Sequence, residues 1–117
     1  MILFIIRMKI SAAKRLELVQ TITSLIGFMR AEPGCRRFDF CQNVSNENEL
    51  YLLGEWEDQE KLTNHLMSER FRVLRGAMNL LREPYEMRFH TLFHPSGMAR
   101  LKRLMNQPWQ DGDEEDF

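Results

Sequence analysis

The sequence predicts an α+β fold, a split-βαβ domain with element order β-α-β-β-α-β and one four-stranded antiparallel sheet. Three observations carry that expectation. The apolar period changes along the chain, from two to three or four and back, as it does where strands and helices alternate. The first six residues, Met1-Ile2-Leu3-Phe4-Ile5-Ile6, are apolar without interruption, as suits a central strand covered on both faces. The second and third strands follow one another across a single polar segment, which reads as a hairpin.

Each element has its own justification. Residues 1–9 form the first strand. Ser11 is placed to cap a helix beginning at Ala12, with Leu16, Val19, Ile22, Ile26 and Met29 as its apolar stripe. Pro33-Gly34 stops that helix and turns the chain. Cys35 to Val44 is the second strand, with Phe38 and Phe40 on one face and Arg37, Asp39 and Cys41 on the other. Asn43 to Glu49 reads as a polar loop and Leu50 to Trp56 as the third strand. A split helix follows to about Arg82, carrying Leu62, Leu66, Phe71, Leu74, Met78 and Leu81 on one face. Asp58 caps its first half, where Glu60 also favours the positive end of the helix dipole, and Ser68 restarts it. Glu83-Pro84 breaks the helix, and Tyr85 to Phe93 alternates as a fourth strand.

In this topology the first and third strands are central neighbours. Right-handed crossovers place both helices on one face of the sheet. No element is left to cover the other face, where Phe, Leu and Met are expected among the alternating residues. A patch of that kind is larger than monomers usually expose. A second copy of the sheet is the simplest cover, so the expectation is a homodimer.

Composition bounds the rest. The chain has 117 residues, 44% of them hydrophobic, enough for one globular domain, placed here at residues 1–94 with a C-terminal extension over 95–117. The net charge of −1 hides an asymmetry, because five acidic residues (Asp111, Asp113, Glu114, Glu115 and Asp116) crowd the end. The remainder is only mildly basic and has no long basic run, so nucleic acid is not an expected partner. Six apolar residues at the start are too few for a signal core or a membrane span; the expectation is a cytoplasmic protein with no membrane contact. Cys35 and Cys41 would lie ~20 Å apart on one strand, too far for a disulfide, and read as buried free thiols sharing a face. In the extension, Ser96 is placed to cap a short helix with Leu101, Leu104 and Met105; Pro108 and the acidic run after it read as disordered.

The residues Glu32-Pro33-Gly34-Cys35 with Phe38, then Glu55-Trp56-Glu57-Asp58, Leu62, His65-Leu66 and Ser68-Glu69-Arg70-Phe71, resemble the antibiotic biosynthesis monooxygenase (ABM) domain of the dimeric α/β-barrel superfamily. The resemblance runs from residue 1 to about 93. It implies a ferredoxin-like protomer, a homodimer closing a β-barrel, and a pocket between sheet and helices. Similar domains include cofactor-free monooxygenases of polyketide quinones, haem-degrading oxygenases and isomerases of small phosphorylated sugars. Against the haem-degrading members, this chain has Arg7 at the first-strand position, His65 in place of a Trp, and Arg75 at the iron-ligand position. An Arg stays protonated and cannot ligate iron.

Quinone monooxygenase chemistry asks for a base, a donor to an anionic oxygen and an aromatic wall. His65 is the candidate base or donor, since imidazole titrates near working pH. Trp56 is the candidate wall, and Arg7 or Arg37 a weaker candidate for holding an anionic substrate. Each also has a plain structural reading. Trp56 fits core packing, His65 a hydrogen bond to a carbonyl or carboxylate, and Arg7 a strand end facing solvent or a partner. The sequence has no Gly-rich phosphate loop, no His-x-x-His or Cys-x-x-Cys spacing and no nucleophile elbow. His90 and His94 stand ~13 Å apart along a strand, too far to share an ion. No cofactor or metal is expected. The alternatives to a cofactor-independent monooxygenase are a binding or isomerising protein on the same scaffold, or a non-catalytic dimeric accessory protein.

Overall fold

The structure, a computed structural model, describes residues 1–81, 83–93 and 99–106. The expected positions His94, Ser96, Pro108 and the acidic run lie outside the described residues. In chain order the elements are β1 (Ile2–Lys9), α1 (Ala12–Arg30), β2 (Cys35–Asn43), β3 (Asn46–Trp56), α2 (Gln59–Leu66), α3 (Glu69–Ala77), a 3-10 turn (Met78–Leu80), β4 (Glu86–Thr91) and α4 (Ala99–Met105). The sheet order is β2-β3-β1-β4, with every pairing antiparallel. The ferredoxin-like expectation holds, with β1 and β3 as the central pair.

The register assigns each side chain to a face. Phe4, Ile6 and Met8 of β1 oppose Gly54, Leu52 and Leu50 of β3, and Phe4 and Ile6 oppose Phe89 and Met87 of β4. On β2, Phe38 and Phe40 oppose Gly54 and Leu52. Phe4, Ile6, Met8, Phe38, Leu50 and Leu52 meet Leu18, Ile22 and Met29 of α1 and Leu62, Phe71, Leu74 and Met78 of the split helix in one buried cluster, with Phe40 and Met87 partly buried against it. Burying a Leu, Ile, Phe or Met side chain contributes about 1.5–3 kcal/mol, so this layer dominates the stability.

The split helix forms as its two cap residues dictate. Asp58 accepts from the Lys61 N–H at 2.9 Å, and Ser68 accepts from the Phe71 N–H at 3.2 Å. Ser11 stands at the N-cap of α1 with extended backbone, but its side chain makes no capping bond. The expected stripe of α1 holds at Val19, Ile22, Ile26 and Met29, and departs at its first position, where Leu18 replaces Leu16. Leu18, Ile22 and Met29 are buried while Leu16 is 67% exposed, because at 3.6 residues per turn Leu16 lies about 120° round the helix from Ile22.

Three further expectations change. The loop Asn43–Glu49 is a two-residue hairpin turn, and β3 begins at Asn46. Its polar residues pair across the hairpin: Gln42 donates to the Glu47 carbonyl, and Asn43 donates to the Glu49 carboxylate at 2.8 Å. The two cysteines do not share a face and are half-buried. A register shift between Cys35 and Arg37 leaves Cys35 opposite Trp56 and turns Cys41 to the other side, opposite Tyr51. The face away from the helices holds Leu3, Ile5, Tyr51 and Leu53, all half-buried, within a charged border; the phenylalanines and methionines of the strands turn to the helices. Among the described residues no helix is long and apolar enough to cross a membrane.

Candidate functional site

His65 stands in the last turn of α2 with its side chain directed into the layer between helices and sheet, and the residue is 1% exposed. The imidazole stacks on Trp56 with ring centroids 4.3 Å apart at 26°. Phe71 of α3, Phe38 of β2 and Phe4 of β1 present their rings edge-on at 5.1, 5.7 and 6.3 Å. Four aromatic rings from four elements thus enclose one imidazole. Glycine at position 54 makes the enclosure possible, because a Cβ there would stand 2.9 Å from the Trp56 Nε1 and 3.3 Å from the Phe38 ring.

The polar atoms of this cluster are only partly matched. Nδ1 of His65 lies 2.8 Å from Oε2 of Glu32. Nε2 of His65 and Nε1 of Trp56 are buried without a hydrogen-bond partner among the described residues. Such orphaned groups are rare in native interiors and cost about 1–3 kcal/mol each. Burial pushes the imidazole below its ordinary pKa, and the Glu32 carboxylate opposes that by favouring the charged ring.

Two local structures hold the pair together. Glu32 opens a tight turn in which its carbonyl accepts from the Cys35 N–H at 3.1 Å, and Gly34 takes φ +82°. That geometry, with Pro at the second position and Gly at the third, is a type II turn. The turn is fastened where the chain passes from β3 to α2: the Glu57 N–H donates to the Gly34 carbonyl at 2.8 Å. A side chain at position 34 would run into Lys61, at 2.3 Å from its Cγ. At the other end, the Ser68 hydroxyl donates to the His65 carbonyl at 2.7 Å.

The remaining sequence candidates are elsewhere. Arg7 and Arg37 project from the opposite face of the sheet and do not approach His65. Arg7 donates to Glu49 through Nε at 3.1 Å and Nη2 at 2.7 Å, and Arg37 is paired with Asp39 at the exposed strand. Arg75 is exposed in the last turn of α3. The structure therefore brings His65 and Trp56 together and separates both arginines from them. Glu32, Phe4, Phe38 and Phe71 join the site; Glu32, Phe38 and Phe71 stand among the motif residues without a role of their own, and Phe4 reads only as core. Around Arg7, Glu49 accepts from Tyr51 at 2.6 Å, from Asn43 and from Arg7, which holds its carboxyl down to about 2. A shallow depression of about 280 Å³ beside it is lined by Ile5, Arg7, Tyr51, Glu86, Arg88 and His90. Among the described residues no three His, Cys, Asp or Glu side chains converge to hold a metal ion.

Comparison with known proteins places this architecture. The sequence profile of the antibiotic biosynthesis monooxygenase family matches residues 1–76. A Bacillus subtilis relative, named “Putative monooxygenase YcnE”, is 30% identical over 81 residues, which span 68% of this chain and 84% of that protein. Among solved structures, a “Putative antibiotic biosynthesis monooxygenase from Nitrosomonas europaea” superposes with a TM-score of 0.76 at 16% identity, covering 80% of this chain and all (100%) of that one. Rv0793 from Mycobacterium tuberculosis superposes at 0.74 with 23% identity over 80% and 95% of the two chains. Fold, profile and relative agree on the resemblance drawn from the motif residues, and the chain belongs to the antibiotic biosynthesis monooxygenase family.

Proposed function

We propose that the protein is a cofactor-independent monooxygenase acting on a small hydroxyaromatic or quinol-like molecule, with His65 as its base. The observation that carries this reading is the buried His65 Nε2 that lacks a partner, next to the equally unpartnered Trp56 Nε1. One ring offers an acceptor for a hydroxyl proton and the other a donor for the oxygen left behind. Phe4, Phe38 and Phe71 close on the imidazole itself, an apolar surround that a flat ring would match once these side chains part to admit it. The family membership and the relative named as a monooxygenase agree with this chemistry.

The reaction needs no external reductant. Nε2 takes the substrate's hydroxyl proton, and the resulting anion passes an electron to dioxygen. The two radicals join at a ring carbon bearing hydrogen, and the peroxide formed takes the proton back from His65. Loss of water leaves a new carbonyl at that carbon. One oxygen atom enters the product, the other leaves as water, and all four electrons come from the substrate. Nothing in this route calls on Arg7 or Arg37, so the substrate enters as a neutral hydroxyl compound.

Oxygen uptake with a dihydroxynaphthalene or anthrone-type substrate tests the proposal. His65→Ala is expected to lower turnover by ~10²–10⁴-fold, the usual contribution of a positioned base. Equal turnover in the variant would sink the assignment. A second reading is favoured by the tightness of the cluster around an imidazole that is 1% exposed: a non-catalytic accessory protein, which would show no uptake and no change in Trp56 fluorescence with such ligands. An isomerising protein would bind them without consuming oxygen.

The working unit on this proposal is a homodimer formed through the open sheet face, where Leu3, Ile5, Tyr51 and Leu53 stand half-buried in the protomer. An obligate interface of this kind buries upwards of ~2,000 Å². Sedimentation is expected to give a dimer at micromolar concentration; a stable folded monomer would end that part of the reading.

A further inference from the structure

Resting on the reading of His65 as the base, we propose that Glu32 is its positioning residue, fixing the imidazole as the tautomer protonated on Nδ1 so that Nε2 keeps its lone pair. A carboxylate at neutral pH accepts hydrogen bonds and does not donate them. The ring nitrogen 2.8 Å from it must therefore carry the proton, and Nδ1–H donates to Oε2 of Glu32. In a neutral imidazole the other nitrogen is then the acceptor. That nitrogen, Nε2, is the atom left without a partner inside the aromatic cluster. With the opposite tautomer, two lone pairs would face each other across 2.8 Å and the base would be blocked.

The backbone is built to hold this one contact. Glu32 and His65 are 33 residues apart, on different elements. The Glu-Pro-Gly-Cys turn sets Glu32 at the end of α1, and its fastening through Gly34 to Glu57 and against Lys61 ties that turn to the start of α2. The Ser68 hydroxyl ties down the far end of α2 at the His65 carbonyl. Both partners are thus referred to the same short helix. The elements facing the imidazole present Phe4, Phe38, Trp56 and Phe71, and among the described residues Glu32 is the charged group acting on it.

The proton step balances without any other group. The substrate O–H bond breaks and an N–H bond forms at Nε2, giving an imidazolium and an oxyanion, with no electron transferred. Of the two N–H groups of that imidazolium, one still donates to Glu32 and the other donates to the oxyanion. Glu32 does not touch substrate and acts only through His65.

Nitrogen-15 resonances of histidine-labelled protein read the tautomer directly, without any turnover. In the wild-type protein above its titration midpoint, His65 is expected to show a protonated Nδ1 and an unprotonated Nε2. Glu32→Ala is expected to move proton occupancy toward Nε2. Glu32→Gln preserves shape and removes charge, so the His65 midpoint is expected to fall by about one to three pH units, the range for losing an adjacent opposite charge. The rising limb of the oxygen-uptake profile should move with it, since a base works only above its own midpoint. A wild-type His65 protonated at Nε2, or a midpoint that Glu32→Gln leaves in place, would overturn the proposal. If the tautomer is as expected but no substrate drives oxygen uptake, the monooxygenase reading fails and the positioning of His65 by Glu32 stands.

Discussion

Two buried polar side chains sit on opposite faces of the same sheet, and they have been treated differently. Glu49, 5% exposed, has its carboxylate matched by Tyr51, Asn43 and Arg7. His65, 1% exposed, has one ring nitrogen matched by Glu32 and the other matched by none of the described residues. A fully satisfied cluster rigidifies a structure, and here it pins the β2–β3 hairpin to β1. A buried group left with an open valence lowers stability, so it calls for a reason other than stability. The contrast separates a group that holds the fold from one that the fold holds ready.

The strongest way to break the comparison is Trp56→Ala, which removes the ring stacked on His65. Truncation of a fully buried aromatic is expected to cost ~3–5 kcal/mol through lost contacts and a cavity, at about 4–8 °C of melting temperature per kcal/mol for a domain of this size. A melting temperature within a few degrees of wild type would mean that the aromatic cluster is not packed as described.

Gly54→Ala sharpens the same point more gently. The added methyl meets Trp56 Nε1 at 2.9 Å, so the indole must shift. Overpacking of this kind typically costs ~1–3 kcal/mol. The near-ultraviolet circular dichroism should change with it, because the Trp56–His65 stack is disturbed. An unaltered spectrum and melting temperature would show slack around the indole.

The smallest effect is expected at Glu49 and appears only in acid. Its folded pKa is held from the usual 4.5 down to about 2, first by Tyr51, then by Asn43 and Arg7. A depressed carboxyl stabilises the fold fully above its unfolded value, and that stabilisation is lost as pH falls through the folded one. The melting temperature of wild type is therefore expected to exceed that of Glu49→Gln by a constant margin above pH ~5. The margin should shrink as pH falls from 4.5 toward about 2. A margin independent of pH would show that Glu49 contributes by shape and not by charge.

Much of this arrangement was legible along the chain. Strand, cap and helix signals are local, so Asp58, Ser68 and Pro33-Gly34 mark boundaries that the structure keeps. The unbroken apolar run at Ile2–Ile6 identified a central strand before any pairing was known. What went astray locally did so for identifiable reasons. The Asn43–Glu49 stretch reads as loop because its residues are polar, yet Arg7 and Tyr51, distant or alternate in sequence, supply partners that let it form a strand. One irregular step at Arg36 was enough to turn Cys41 away from the face of Cys35.

By itself, the sequence determined the order and type of the elements, the family, and the pairing of His65 with Trp56 as the residues of interest, because these follow from periodicity, capping chemistry and a local motif. Only the tertiary structure decided which residues share a site with them. Strand parity sent Arg7 and Arg37 to the face opposite His65. A turn and a helix 33 residues apart brought Glu32 within 2.8 Å of the imidazole. Whether a polar atom finds a partner depends on the positions of every element around it. The satisfied Glu49 and the half-satisfied His65 could therefore be told apart only once the chain was folded.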